Sequence, residues 1–249
     1  AGVILGVLFI SALFRLPGKL LYGVLLLLLA LAGIPPYIHA LTWSRVLQVS
    51  GALLPGLPAT GWLVSFWVDL MALLPLSVFL TWIAFASVDF RLIDAGRLVR
   101  SDVSVLVHII LPLAAPALGA AFSFVFLICC TDYSVPSLFG ADVYALDIFA
   151  QFSASNSAAQ AFLYALPLLV VTLIVMIACR SGIRTLAQTP TWFFARFGNP
   201  PSYPCWFRIL QTGAVIVLIV QILVLFSGLI IAAGSMDSVI KSVLLARNE

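Results

Sequence analysis

The chain has 249 residues, of which 63% are hydrophobic and only 8% charged, with a formal net charge of +3. An ordinary soluble domain carries roughly a quarter charged residues, and no water-soluble fold of this size hides so much apolar surface, so the bilayer is the solvent. No dense basic run occurs, which excludes a nucleic-acid footprint and leaves the lipid bilayer as the first partner.

Residues 1–14 are apolar from the first position, with neither an initiating Met nor a basic n-region, so they do not read as a signal peptide. Fourteen helical residues reach about 21 Å, short of the roughly 30 Å hydrocarbon core. The expectation is the tail of a span that starts further upstream, and a chain that is a fragment. Segments 20–42, 62–88, 112–130, 161–179 and 209–233 follow, each predicted to cross the bilayer as a helix. Runs such as Leu25 to Leu29 do not alternate in polarity as barrel strands would.

Prolines punctuate these segments. Pro35 and Pro36 interrupt 20–42, Pro75 lies inside 62–88 and Pro167 inside 161–179, where each frees a carbonyl and bends the axis. Leu111-Pro112 is expected to open the third span, at a position where the missing N–H costs nothing. The acidic loop 131–160 is predicted to hold a short surface helix over 143–155. Residues 187–206 contain Pro190, Gly198, Asn199, Pro200, Pro201 and Pro204 and read as a linker. Three parts result: a core over 1–180, a linker over 181–208, and a second unit begun by 209–249.

Basic residues orient the spans. Loop 15–19 holds Arg15 and Lys19, loop 89–111 holds Arg91, Arg97 and Arg100, and loop 180–208 holds Arg180, Arg184, Arg196 and Arg208. The alternate segments are poorer: 43–61 has Arg45, 131–160 has no Lys or Arg, and the tail has Lys241 and Arg247. Nine against three places the first set of loops in the cytoplasm. Trp43, Trp62 and Trp206 are expected at the two interfaces, where amphipathic rings prefer to sit.

Candidates for chemistry are few. Cys129, Cys130, Cys179 and Cys205 show no metal-ligand spacing, and His39 and His108 are far apart, so neither a cofactor nor a metal site is expected. Asp69 and His39 lie within spans, and intramembrane ionisable residues are functional candidates by default. A pair of such groups fits an interhelical structural contact better than a membrane-embedded enzyme. A secondary transporter would show several buried charges and inverted repeats.

The most informative loop runs Asp89-Phe-Arg-Leu-Ile-Asp-Ala-Gly-Arg-Leu-Val-Arg100 and continues to Ile109-Ile-Leu-Pro-Leu113. Asp94-Ala95-Gly96 followed by Leu111-Pro112 resembles the coupling loop of type I ABC importer permeases. That motif reads Glu-Ala-Ala, three residues, Gly, then a stretch ending in Ile-x-Leu-Pro. Here Asp94 stands for Glu, Gly96 for the second Ala and Arg100 for Gly. Arg15-Leu-Pro-Gly18 and Thr131-Asp-Tyr-Ser-Val-Pro-Ser-Leu-Phe-Gly140 are similar to segments of fused permeases for ferric iron, thiamine, polyamines or phosphonates.

The resemblance implies an all-α polytopic bundle with a partial type I permease fold, located in a bacterial inner membrane. It implies no catalysis by the chain. A cytoplasmic ABC ATPase dimer would dock on Asp94, Ala95, Gly96, Arg97 and Arg100, and an extracytoplasmic solute-binding protein would deliver the solute. Asp132, Tyr133 and Asp69 would line the pathway, although Asp132 is equally suited to cap the turn that follows it. The absence of a P-loop in this chain agrees with ATP hydrolysis residing in a partner.

Overall fold

The computed structural model describes residues 1–53, 59–155, 157–187 and 201–246, and every regular element among them is a helix. In chain order these are α1 (Gly2–Leu13), α2 (Gly18–Ala32), α3 (Pro36–Leu53), α4 (Trp62–Ala86) and α5 (Phe90–Arg97). The long α6 (Asp102–Thr131) follows, then α7 (Ser134–Leu138), α8 (Tyr144–Ser155), α9 (Ala158–Ala178), α10 (Arg180–Ala187) and α11 (Cys205–Ala246). Four of them, α4, α6, α9 and the Cys205–Ile231 part of α11, are long and apolar enough to cross a membrane. This is a helical membrane protein.

Two expected spans take a different form. Segment 20–42 is not one helix: α2 and α3 meet at a 92° bend. Gly33 closes α2, Pro35 biases Ile34 away from helical geometry, and Pro36 opens α3 at the one helical position that needs no N–H. α3 then continues to Leu53, so much of the expected outer loop 43–61 is helical. The other correction concerns Leu111-Pro112, which does not begin a span. α6 starts at Asp102, behind Ser101 in extended geometry, and Pro112 lies inside it. A π-helical turn, Leu106–Ile110, sits directly before that proline, and the Leu111 N–H bonds to the Leu106 carbonyl. Pro112 has no N–H for the preceding turn and crowds it, and the wider π turn absorbs both defects. Loop 89–111 is therefore mostly helix.

α1 lies close on α4. Gly2 and Gly6 face Ser77 and Thr81, and a Cβ at Gly6 would lie 2.6 Å from Thr81 Oγ1 and 3.2 Å from the Ser77 carbonyl. Small residues four apart let two helices approach closely in a membrane, where packing takes the place of the hydrophobic effect. The hydroxyls at this contact donate to their own helix, Ser77 to Leu73 O and Thr81 to Ser77 O, so none is orphaned.

α11 belongs to the same bundle, packed on α1, α3 and α4. Its buried large side chains and alanine among the described residues are Phe207, Gln211, Ala214, Leu218, Gln221 and Leu225. Steps of four and three alternate along this row, the 3.5-residue period of knobs-into-holes packing. Gly228 continues the row, and its Cα sits so near Thr42 that an added Cβ would lie 2.2 Å from Thr42 Cγ2. α9 behaves differently: none of its residues is buried.

The three loops expected on one side do converge at one end. The Arg15 guanidinium lies 5.1 Å from the Tyr203 ring centroid, and the Asp102 carboxylate joins Arg97 to Ser202. The opposite end is tied by the Gly61 N–H donating to the Phe139 carbonyl at 2.7 Å. Gly61 has φ of 102°, a conformation in which a side chain would be strained. The helix expected over 143–155 is α8, held by Tyr133 stacked on Phe149 at 5.3 Å. Arg196 and Arg247, and most of the 187–206 linker, lie outside the described residues.

Candidate functional site

Two places combine exposed or polar side chains with a defined geometry. The first is α5 at the basic end. Asp89 caps it, its Oδ1 accepting the Arg91 N–H at 2.9 Å. Ile93 is buried and anchors the helix to the core below. Gly96 faces α6, since a Cβ there would lie 2.5 Å from Ile109 Cδ1. Arg97 Nε donates to Asp102 Oδ1 at 2.7 Å. Asp102 Oδ2 accepts the Ser202 N–H at 2.5 Å and its hydroxyl at 3.1 Å. Thus Gly96 and Arg97 hold the loop against its own chain, while Asp94, Ala95 and Arg100 are exposed.

Two apolar residues beside them went unremarked in the sequence. Leu98 is 88% exposed and Val99 84%, on a loop outside the spans. Leu92, also exposed, adds to this face. Beneath this face, burial beside Asp102 pushes the Tyr203 phenol up to about 12. The phenol stays neutral at physiological pH, and its face meets the Arg15 cation.

The second place joins Asp69 of α4 to Asp132 at the end of α6. The two carboxyls come within hydrogen-bonding reach. Asp132 caps the turn that follows it. Its Oδ1 accepts the Ser134 N–H at 2.8 Å and the Ser134 hydroxyl at 2.5 Å, which caps α7. Its Oδ2 is buried with no donor among the described residues. Tyr133, the third expected member, turns away to stack on Phe149 and is half exposed.

His39 is not part of this pair. It is fully buried, and its Nδ1 lies 2.5 Å from Gln221 Nε2. Gln221 Oε1 accepts the Trp43 indole N–H at 2.9 Å. Trp43 is therefore a buried donor inside the bundle, whereas Trp62 and Trp206 are exposed at the starts of α4 and α11. Ten residues earlier on α11, Gln211 Nε2 donates to Ser11 Oγ at 2.9 Å. The two glutamines were legible as isolated amides in an apolar run, the kind of residue that glues membrane helices together.

Among the described residues no group of three or more His, Cys, Asp or Glu is arranged to hold a metal ion, and the four cysteines are free thiols. Comparison with protein-family models, curated proteins and solved structures gives no match.

Proposed function

We propose that the chain is a permease subunit of an ATP-binding-cassette importer in a bacterial inner membrane, with a fold of the type I class, coupled through α5 to a cytoplasmic ATPase and supplied by an extracytoplasmic binding protein. The observation that carries this reading is the surface around α5. A short capped helix is fixed to the bundle by Ile93, Gly96 and Arg97, and presents Asp94, Ala95, Leu98, Val99 and Arg100 outward at the basic end. Apolar side chains exposed to that degree on an otherwise charged loop suit burial against a protein partner. Small residues in the same turn permit close approach. Solute would pass near Asp69 and Asp132, where two carboxyls converge inside the span region.

That carboxyl pair also favours a second reading, a secondary transporter coupled to a proton or cation. One experiment separates them. A photo-crosslinking residue placed at Leu98 in the native membrane should capture a protein carrying a P-loop, and Leu98→Glu with Val99→Glu should abolish both capture and uptake. Uptake that survives those changes and ATP depletion, but collapses when the ion gradient is dissipated, would establish the secondary transporter instead.

A further inference from the structure

We infer that the cleft between α6 and α9 is a binding site for one acyl chain of an anionic phospholipid of the cytoplasmic leaflet, with its headgroup on Arg180 and Arg184. This site does not require the chain to be a permease. α9 and α10 touch α6 over about two helical turns: the Ser123 hydroxyl lies 2.8 Å from Cys179 Sγ, and Gly182 packs on the Pro116 carbonyl. Beyond that tie the helices leave a cleft of about 480 Å³, lined by Leu80, Phe124, Leu127, Val175 and Met176 among others.

Its surface is apolar in a specific way. The hydroxyls of Thr131 and Thr172 that border it both donate to carbonyls of their own helices, Leu127 and Ile128 in one case and Leu168 in the other. Neither hydroxyl has a hydrogen left to donate to the space. The Ser123 hydroxyl and Cys179 thiol that also line it are bonded to each other, and water does not enter a hydrocarbon core to fill it. Left empty, the lining would forfeit dispersion contacts along its whole length. From Ala120 to Thr131 the α6 wall rises about 16 Å, close to the roughly 15 Å depth of one leaflet. One extended hydrocarbon chain fits both the length and the chemistry.

Charge at the mouth selects the headgroup. Ile183 lines the cleft at its Arg-rich end, and Arg180 and Arg184 flank it one helical turn apart. Both arginines are exposed, and the one ion pair among the described residues is Arg97 with Asp102. α10 packs on α6 through Gly182, which leaves Arg180, Ile183 and Arg184 exposed. The positive-inside rule puts this end in the cytoplasmic leaflet, the one rich in anionic lipid.

Native mass spectrometry of the purified, delipidated chain tests the assignment, using phosphatidylglycerol and phosphatidylcholine with identical acyl chains. One phosphatidylglycerol per chain should be retained, about tenfold more tightly than phosphatidylcholine, as two arginines near an anionic headgroup provide. Arg180→Gln with Arg184→Gln should bring the two lipids within about twofold of each other. Val175→Trp fills the cleft from α9, where no residue is buried in the core, and should remove the retained lipid of either kind. Equal retention of both lipids by the unmodified chain would overturn the proposal, as would a preference that persists without the arginines. A detergent-stable dimer that Val175→Trp dissociates would assign the cleft to a second copy and overturn it too.

Discussion

Gln221 is the sharpest test of how α11 is held in the bundle. It makes two bonds to α3 at once, accepting from the Trp43 indole at 2.9 Å and donating to His39 Nδ1. Gln221→Met keeps the length of the side chain and removes both. The change strands two buried polar groups, and each stranded group costs about 1–3 kcal/mol in a water-soluble core. Between membrane helices hydrogen bonds average about 0.6 kcal/mol and reach about 1.7. Gln221→Met is therefore expected to cost about 1–3 kcal/mol in reversible unfolding from mixed micelles. Trp43→Phe should cost a similar amount, part of it from lost volume. The diagnostic quantity is the coupling in the double mutant, expected at about 0.5–1.5 kcal/mol, because a phenylalanine ring in place of the indole needs no acceptor. Gln211→Met is the control. Among the described residues that amide has one bond, to Ser11, and an Oε1 that is buried with no partner, so replacing it should be within about 1 kcal/mol of neutral. If Gln221→Met and Trp43→Phe add within about 0.3 kcal/mol, the two side chains do not interact and the clamp is wrong.

The remaining expectations can be checked by simpler means. Gly182→Ala would set a Cβ 1.8 Å from the Pro116 carbonyl, a backbone atom that cannot step aside, and should lower stability by about 1–3 kcal/mol in thermal unfolding. Gly96→Ala meets only the flexible tip of Ile109 at 2.5 Å, and a helix-propensity gain of about 1 kcal/mol offsets the crowding. It should unfold within a degree or so of the unmodified chain; a loss matching that of Gly182→Ala would show that the α5–α6 contact does not yield. In a chain without its native cysteines, Asp142→Cys should react with an impermeant reagent applied outside intact cells and Ser181→Cys should not, and the reverse pattern would invert the topology. Asp69→Asn removes one member of the carboxyl pair while leaving the Asp132 cap of α7 intact, so it should fold as well or better yet reduce uptake at least tenfold. Unchanged uptake would take Asp69 out of the pathway.

Span existence was legible because a bilayer imposes it: an apolar run near twenty residues has few alternatives to a helix when no water can satisfy its backbone. That the basic loops share one end was legible too, and Arg15, Arg97 and Tyr203 meet there. Helix boundaries around proline were less so. Pro36 broke its segment as a helix start, whereas Pro112 was absorbed into α6 by a π turn. Both have an apolar context in sequence. The difference lies in what the neighbouring turns can do, since Gly33 ends α2 just before Pro36 and no such stop precedes Pro112.

The candidate site shows the same limit at the level of single side chains. Sequence singles out Asp69 and Asp132 separately, each for its charge, and only tertiary packing places them together across sixty-odd residues of chain. On α5 the small residues suggested a surface that fits a partner, but Gly96 faces Ile109 of its own chain. The outward face is defined instead by Leu98 and Val99, whose exposure nothing in a hydrophobic sequence reveals. In a chain where most residues are apolar, composition loses its power to tell a core from a docking surface. What restores it is position: an apolar side chain means packing or lipid inside a span, and a partner when it stands uncovered beyond the span's charged end.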